Sequence, residues 1–235
     1  MMNPYPELLP AEVIERAKQF GVAQICDGIK AAKLPVVNDG CLAFDMMPVA
    51  DNMKMVGTAM TIETCDGDNF PMHLVSYSAP APGYVVVVDG KDYKGRAYCG
   101  SLMIGACQAV GYAGAVVDGC VRDKDELAEI GLPVFCRGYS PRGPIKVNEG
   151  SINTPIVCAG VNVNPGDLIV GDVDGVVCVP REYIDVVLEQ AAVKKAYEDK
   201  QTAKIAEYRR CVKAGEEPPV LAPQWVLDMA AQNNS

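Results

Sequence analysis

Two hydrophobic periods alternate along the middle of the chain. From residue 68 onward, stretches with apolar residues three and four apart trade places with short, nearly unbroken runs of Val. Asn69 to Ala79, Ser101 to Tyr112 and Lys124 to Ile130 read as helices. Tyr84-Val85-Val86-Val87-Val88, Ala115-Val116-Val117 and Pro133-Val134-Phe135 read as the strands between them. Strands that are apolar at every position are covered on both faces, so this order predicts a parallel βαβαβ core with right-handed crossovers. After residue 150 the runs shorten. Ile156 to Cys158, Asp167 to Val170 and Gly175 to Val179 are cut by Gly and Pro turns, which predicts a second, more antiparallel layer.

The flanks follow other patterns. Pro10 to Gly21 opens on Pro, carries an acidic first turn and closes on Gly, the punctuation of a short helix. Val22 to Lys33 predicts a second helix, residues 34–52 an irregular connection, and Met53 to Thr64 a strand. Arg181 to about Ala214 is a long amphipathic helix rich in Ala, Lys and Glu, with Gly215 as its stop. A helix of that length has little core left to cover, which points to packing on a neighbouring subunit. No linker or composition break divides the chain. The expectation is one α/β domain over 1–235, with a core at about 55–182 and a C-terminal helical extension at about 181–235.

Composition narrows the classes of function. With 49% apolar and 22% charged residues in 235, the chain can bury a full core, which excludes disorder. Lys and Arg number 21 against 30 Asp and Glu; the resulting charge of −9 has the wrong sign for direct nucleic-acid binding. Ten cysteines are scattered singly without a CxxC, as reduced thiols are in a cytoplasmic protein. No apolar run is long enough to span a membrane. The single histidine, His73, excludes a His-rich zinc site, so any metal is expected to be a hard cation with oxygen ligands. His73 itself, on a helix near the core, reads as structural.

Candidate chemistry gathers where strands end. Asp89-Gly90 and Asp118-Gly119 fall at the carboxyl ends of two predicted parallel strands, where open α/β sheets place their ligand crevices; Asp174-Gly175 reads as a turn. Arg122 and Asp123 follow the second of these. Asp123 and Glu126 fit a capping box, while Arg122 beside Asp123 also fits a carboxylate clamp next to a metal-ligating carboxylate, suited to a small oxo acid bound through a cation. Gly100 and Ser101 stand at a helix start, whose free amides form an anion site.

Gly100-Ser101-Leu102-Met103 and the run from Gly111-Tyr112-Ala113-Gly114 to Asp118-Gly119-Cys120-Val121-Arg122-Asp123 closely resemble the core of the RraA-like family. That family includes class II 4-hydroxy-4-methyl-2-oxoglutarate (4-carboxy-4-hydroxy-2-oxoadipate) aldolases and the regulator of ribonuclease E activity A. The likeness runs from Gly57-Thr58-Ala59 through Pro82-Gly83 to Asp174-Gly175 and Pro180, about residues 55–182. It implies a swivelling β/β/α-type fold assembled as a homotrimer or a dimer of trimers. It also implies that Gly100, Ser101, Leu102, Met103 and Arg122 hold the pyruvoyl group of a 2-oxo acid, with Asp123 ligating Mg²⁺ or Mn²⁺. The family's aldolases carry Asp where this chain has Ser101; Asp89, Asp92 or Glu198 of a neighbouring subunit are candidates to replace that carboxylate.

The expected activity is therefore metal-assisted lyase chemistry on a short 2-oxo acid, by retro-aldol cleavage or oxaloacetate decarboxylation. Two rivals remain. One is a Schiff-base aldolase on Lys91 or Lys94; the other is a regulator that binds a protein partner, which Ser101 favours and the Arg122-Asp123 pair opposes.

Overall fold

The structure, a computed structural model, describes residues 2–77, 82–147 and 150–233. Its strands are β1 (Met47–Pro48), β2 (Met55–Glu63), β3 (Tyr84–Ala97), β4 (Gly114–Val121), β5 (Val134–Tyr139), β6 (Ser151–Ile152), β7 (Ile156–Cys158), β8 (Val161–Val163), β9 (Leu168–Asp172) and β10 (Gly175–Val179). Its helices are α1 (Ala11–Ala17), α2 (Val22–Ala31), α3 (Phe70–Ser76), α4 (Ser101–Val110), α5 (Lys124–Ile130), α6 (Ile184–Ala214) and α7 (Gln224–Asn233).

β2, β3, β4 and β5 run parallel and in sequence order, with Ala59 opposite Val85, Val86 opposite Ala115 and Val116 opposite Phe135. The helices α3, α4 and α5 connect them, so the predicted βαβαβ core is present and one unit longer. β9 and β10 form an antiparallel hairpin, but they are not a second layer. β9 pairs with β2, extending the same sheet to the order β1-β5-β4-β3-β2-β9-β10. Only β7 and β8 form a separate hairpin among the described residues. The segment before β1 lies along β10, with Leu42 donating its amide to Val176 at 3.0 Å and Cys41 bridged to Val177. The sheet is thereby curled into a nearly closed barrel.

Alternation along β3 explains the Val run. Val86 and Val88 face α3, α4 and α5 together with Met60, Ile62, Ile104 and Leu127, while Val85 and Val87 face the inside of the curl with Phe135, Ile169 and Val176. A third cluster joins Ile25 and Ile29 of α2 to Leu168, Val177, Val187 and Leu188. Each such side chain contributes about 1.5–3 kcal/mol on burial. Beyond Val88, β3 continues through the polar stretch to Ala97 with register shifts at Tyr93 and Ala97. The side chains of this stretch are mostly polar and only partly covered. The irregular connection over 34–52 holds a 3-10 turn at Val37–Gly40 and the two residues of β1.

By its contacts the chain forms two compact units, Met1–Ala191 and Ala192–Ser235, and α6 runs across their boundary. In the first unit, the start of α6 packs so closely on α2 that a Cβ on Gly28 would lie 2.7 Å from the Val187 carbonyl. The second unit holds the rest of α6 and α7 and exposes Val193, Ile205, Val212 and Trp225. No helix among the described residues is long and apolar enough to cross a membrane.

Candidate active site

β4 ends at Val121 and α5 starts at Lys124, leaving Arg122 and Asp123 at the carboxyl end of a fully buried strand. Asp123 has φ 61°, a left-handed conformation that Asp tolerates better than most residues. That backbone turns its carboxylate away from its own helix. Instead of capping α5, as a capping box would, Oδ2 accepts hydrogen bonds from the Ser101 amide at 3.0 Å and the Ser101 hydroxyl at 3.2 Å. Asp123 thus caps α4. Gly100 permits the approach, because a Cβ there would lie 2.3 Å from Asp123 Oδ2 and 2.8 Å from Arg122 Cγ. The Arg122 amide donates to the Cys99 carbonyl at 3.0 Å, tying the two loops together, and its Nε lies 3.7 Å from Asp123 Oδ2.

The anion site at the α4 N-terminus is smaller than the sequence predicts. Asp123 occupies the Ser101 amide, and the amides of Leu102 and Met103 are left without partners among the described residues. They open on a cleft of about 210 Å³ that Gly100, Leu102, Met103, Arg122 and Asp123 line on one side. Ser101 is set behind them, orienting Asp123.

The opposite wall comes from α3. Asn69, His73 and Tyr77 are spaced by four, so they share one helical face, and all three line the cleft with Lys146 beside them. Asn69 Nδ2 donates to the Tyr98 carbonyl at 2.9 Å, whereas its Oδ1 is buried without a partner among the described residues. Native interiors rarely leave an acceptor so. His73 is partly buried and stacks on Tyr77 with ring centroids 5.7 Å apart. Burial, and then the charge of Lys146, hold its pKa below the usual 6.5. His73, read as structural from sequence, lines the cleft. The four-residue spacing was present in the sequence; what it faces depends on the crossover.

The other candidates lie elsewhere. Asp118 is buried and takes hydrogen bonds from the Ala159 amide at 2.8 Å and from Arg137, which also pairs with Asp45 at 2.8 Å. Asp89 is buried against Lys91, whose amine also reaches Glu63 at 2.8 Å. Burial pulls the Lys91 pKa down, but hydrogen bonds and charge from Asp89 and Glu63 outweigh it and raise the pKa, fixing an ammonium. Lys94 pairs with Asp92 at 3.0 Å. None of these residues lines the cleft, and the Asp174 amide closes a turn on Asp172.

Residues 22–178 match the RraA-like family, described as Aldolase/RraA. The chain belongs to the RraA-like family. Among its relatives is a Halalkalibacterium halodurans protein named "Putative 4-hydroxy-4-methyl-2-oxoglutarate aldolase", 37% identical over 173 residues, covering 74% of this chain and 82% of the relative. Solved RraA-like structures share the fold. The Streptomyces coelicolor RraAS2 protein superposes with a TM-score of 0.73 at 23% identity, covering 84% of this chain and 98% of that one. The RNA-processing inhibitor RraA from Thermus thermophilis gives 0.56 at 27% identity, covering 60% and 84%.

Proposed function

We propose that this RraA-like protein is a divalent-metal-dependent lyase that releases pyruvate by retro-aldol cleavage of 4-hydroxy-4-methyl-2-oxoglutarate-like acids and decarboxylates oxaloacetate. One observation carries the reading: Arg122 and Asp123 stand together at a strand end beside two helix amides that have no partner among the described residues, on one wall of a cleft sized for a small acid. The names of relatives such as the H. halodurans protein support it.

In this reading Arg122 and the amides of Leu102 and Met103 bind the pyruvoyl carboxylate, and Ser101 fixes Asp123. The donor set fits a hard cation. Asp123 Oδ2 is engaged by Ser101, but Oδ1 has no hydrogen bond among the described residues. Among the described residues no group of three or more His, Cys, Asp or Glu side chains could hold a metal; Asp123 would be the one protein carboxylate holding a Mg²⁺ or Mn²⁺ ion, a cation that binds through as few as one carboxylate. Such an ion supplies Lewis-acid stabilisation of developing enolate charge. Closing the cleft with substrate excludes water, which strengthens the Arg122 contact and holds the acid in one orientation.

Assembly as a cytoplasmic homotrimer or dimer of trimers belongs to the same proposal, supported by the apolar side chains exposed on the second unit. A second reading, a regulator of a protein partner, is favoured by Ser101, whose hydroxyl is committed to Asp123 and cannot serve as a carboxylate. The deciding assay couples pyruvate release to lactate dehydrogenase, with 4-hydroxy-4-methyl-2-oxoglutarate or oxaloacetate and with Mg²⁺, Mn²⁺ or EDTA. Turnover that requires the cation is expected; absent or EDTA-resistant turnover would sink the proposal.

A further inference from the structure

Retro-aldol cleavage requires a group that removes the proton from the substrate's C4 hydroxyl. On the wall formed by Arg122 and Asp123 the Ser101 hydroxyl is bound to Asp123, Arg122 is a permanent cation, and in the lyase reading the open oxygen of Asp123 is assigned to the cation. The opposite wall offers an imidazole. His73 lines the cleft, it is the chain's single histidine, and among the described residues its ring nitrogens make no hydrogen bond. Its ring is held in place by stacking on Tyr77, one turn further along the same face.

We propose that His73 is the proton acceptor of the cleavage step, doing the work for which Ser101 lacks a carboxylate. This inference rests on the lyase reading above. The C4 hydroxyl proton passes to the free imidazole nitrogen, and the O–H electron pair becomes the second C4–O bond as C3–C4 breaks. The pair from the broken bond forms the enolate of pyruvate, and the imidazolium returns its proton to C3. Protons and electrons balance with no further reactant.

Burial and the charge of Lys146 favour the neutral base among the groups that line the cleft with His73. Tyr77 lies on its own helix, Lys146 follows β5, Cys99 precedes α4, and Arg122 and Asp123 come from the β4–α5 loop. Burial and Lys146 both lower the imidazole pKa, so at pH 7 the ring is free to accept a proton. Asp123 is the one carboxylate lining the cleft among the described residues.

Oxaloacetate decarboxylation forms the same enolate without deprotonating a hydroxyl, which separates the two proposals experimentally. The full-length His73→Gln and His73→Asn variants should lose about 100-fold or more in kcat/KM for 4-hydroxy-4-methyl-2-oxoglutarate. Both should keep the wild-type circular dichroism and melting midpoint, which certifies their folding, and should lose far less of their oxaloacetate decarboxylation, because CO₂ leaves without a base and the enolate can take its C3 proton from water. In the wild type, cleavage should fall as pH drops through the titration midpoint of the lone imidazole NMR signal, below 6.5, and the variants should lack that limb. Variants that keep cleavage, or that lose both reactions together, overturn the role of His73 while leaving the lyase reading standing. A wild type that performs neither reaction overturns both.

Discussion

Asp123 divides its work between two oxygens. Oδ2 caps α4 through Ser101, and Oδ1 faces the cleft without a protein partner among the described residues. Structure and chemistry should therefore separate on substitution. Asp123→Ala loses the cap and leaves a β-carbon residue at φ 61°, which should destabilise the fold by about 1–2 kcal/mol in urea unfolding. Asp123→Asn keeps a capping oxygen and a residue tolerant of that backbone, so its midpoint should stay close to wild type. Both should abolish cation-dependent pyruvate release; equal destabilisation by the two would contradict the capping role. At this scale Arg122, Asp123 and the Gly100–Met103 segment were legible because strand-end and helix-start chemistry are local. Asn69 and His73 were not. Their spacing places them on one face of α3, but only the crossover from β2 to β3 decides that this face meets the β4–α5 loop.

Among the elements, the crossing of α2 and α6 depends on a missing side chain at Gly28. Gly28→Val would drive a branched side chain into the Val187 carbonyl and the Ala191 amide. Urea unfolding should show a loss of about 1–3 kcal/mol with far-UV circular dichroism preserved. An unchanged midpoint would mean that α6 does not lie against α2. The parallel core was legible from its Val runs, since burial on both faces leaves a composition that few other arrangements produce. The placement of β9 and β10 was not, because β9 pairs with β2 more than a hundred residues earlier and short apolar strands carry no mark of their partner. The β3 extension was hidden by the ion pairs of Asp89, Lys91 and Glu63, whose charged side chains resemble a solvated loop in sequence. Asp118 and Arg137 make a comparable pair beside β7, so acidic strand ends that look like ligand sites are consumed by structure.

For the whole molecule, the unit from Ala192 to Ser235 leaves Val193 at 66% and Trp225 at 59% exposure, apolar surface that a neighbouring subunit would cover in the proposed assembly. Sedimentation velocity should show three or six chains. Val193→Asp combined with Ile205→Asp should shift the protein toward single chains while leaving its circular dichroism intact; a wild-type monomer would contradict the assembly. The acidic balance of the chain sharpens the electrostatics of the cleft. At a net charge of −9 the molecule repels small dicarboxylates in bulk, so Arg122, the α4 amides and any bound cation must supply the local attraction. Oxalate, which copies the planar enolate of pyruvate, tests that attraction without requiring the natural C4 substituent. Calorimetric titration of oxalate should give saturable binding with Mg²⁺ that disappears in EDTA and in Asp123→Asn, whereas binding that ignores both would contradict a cation-assisted oxo-acid site at Arg122 and Asp123.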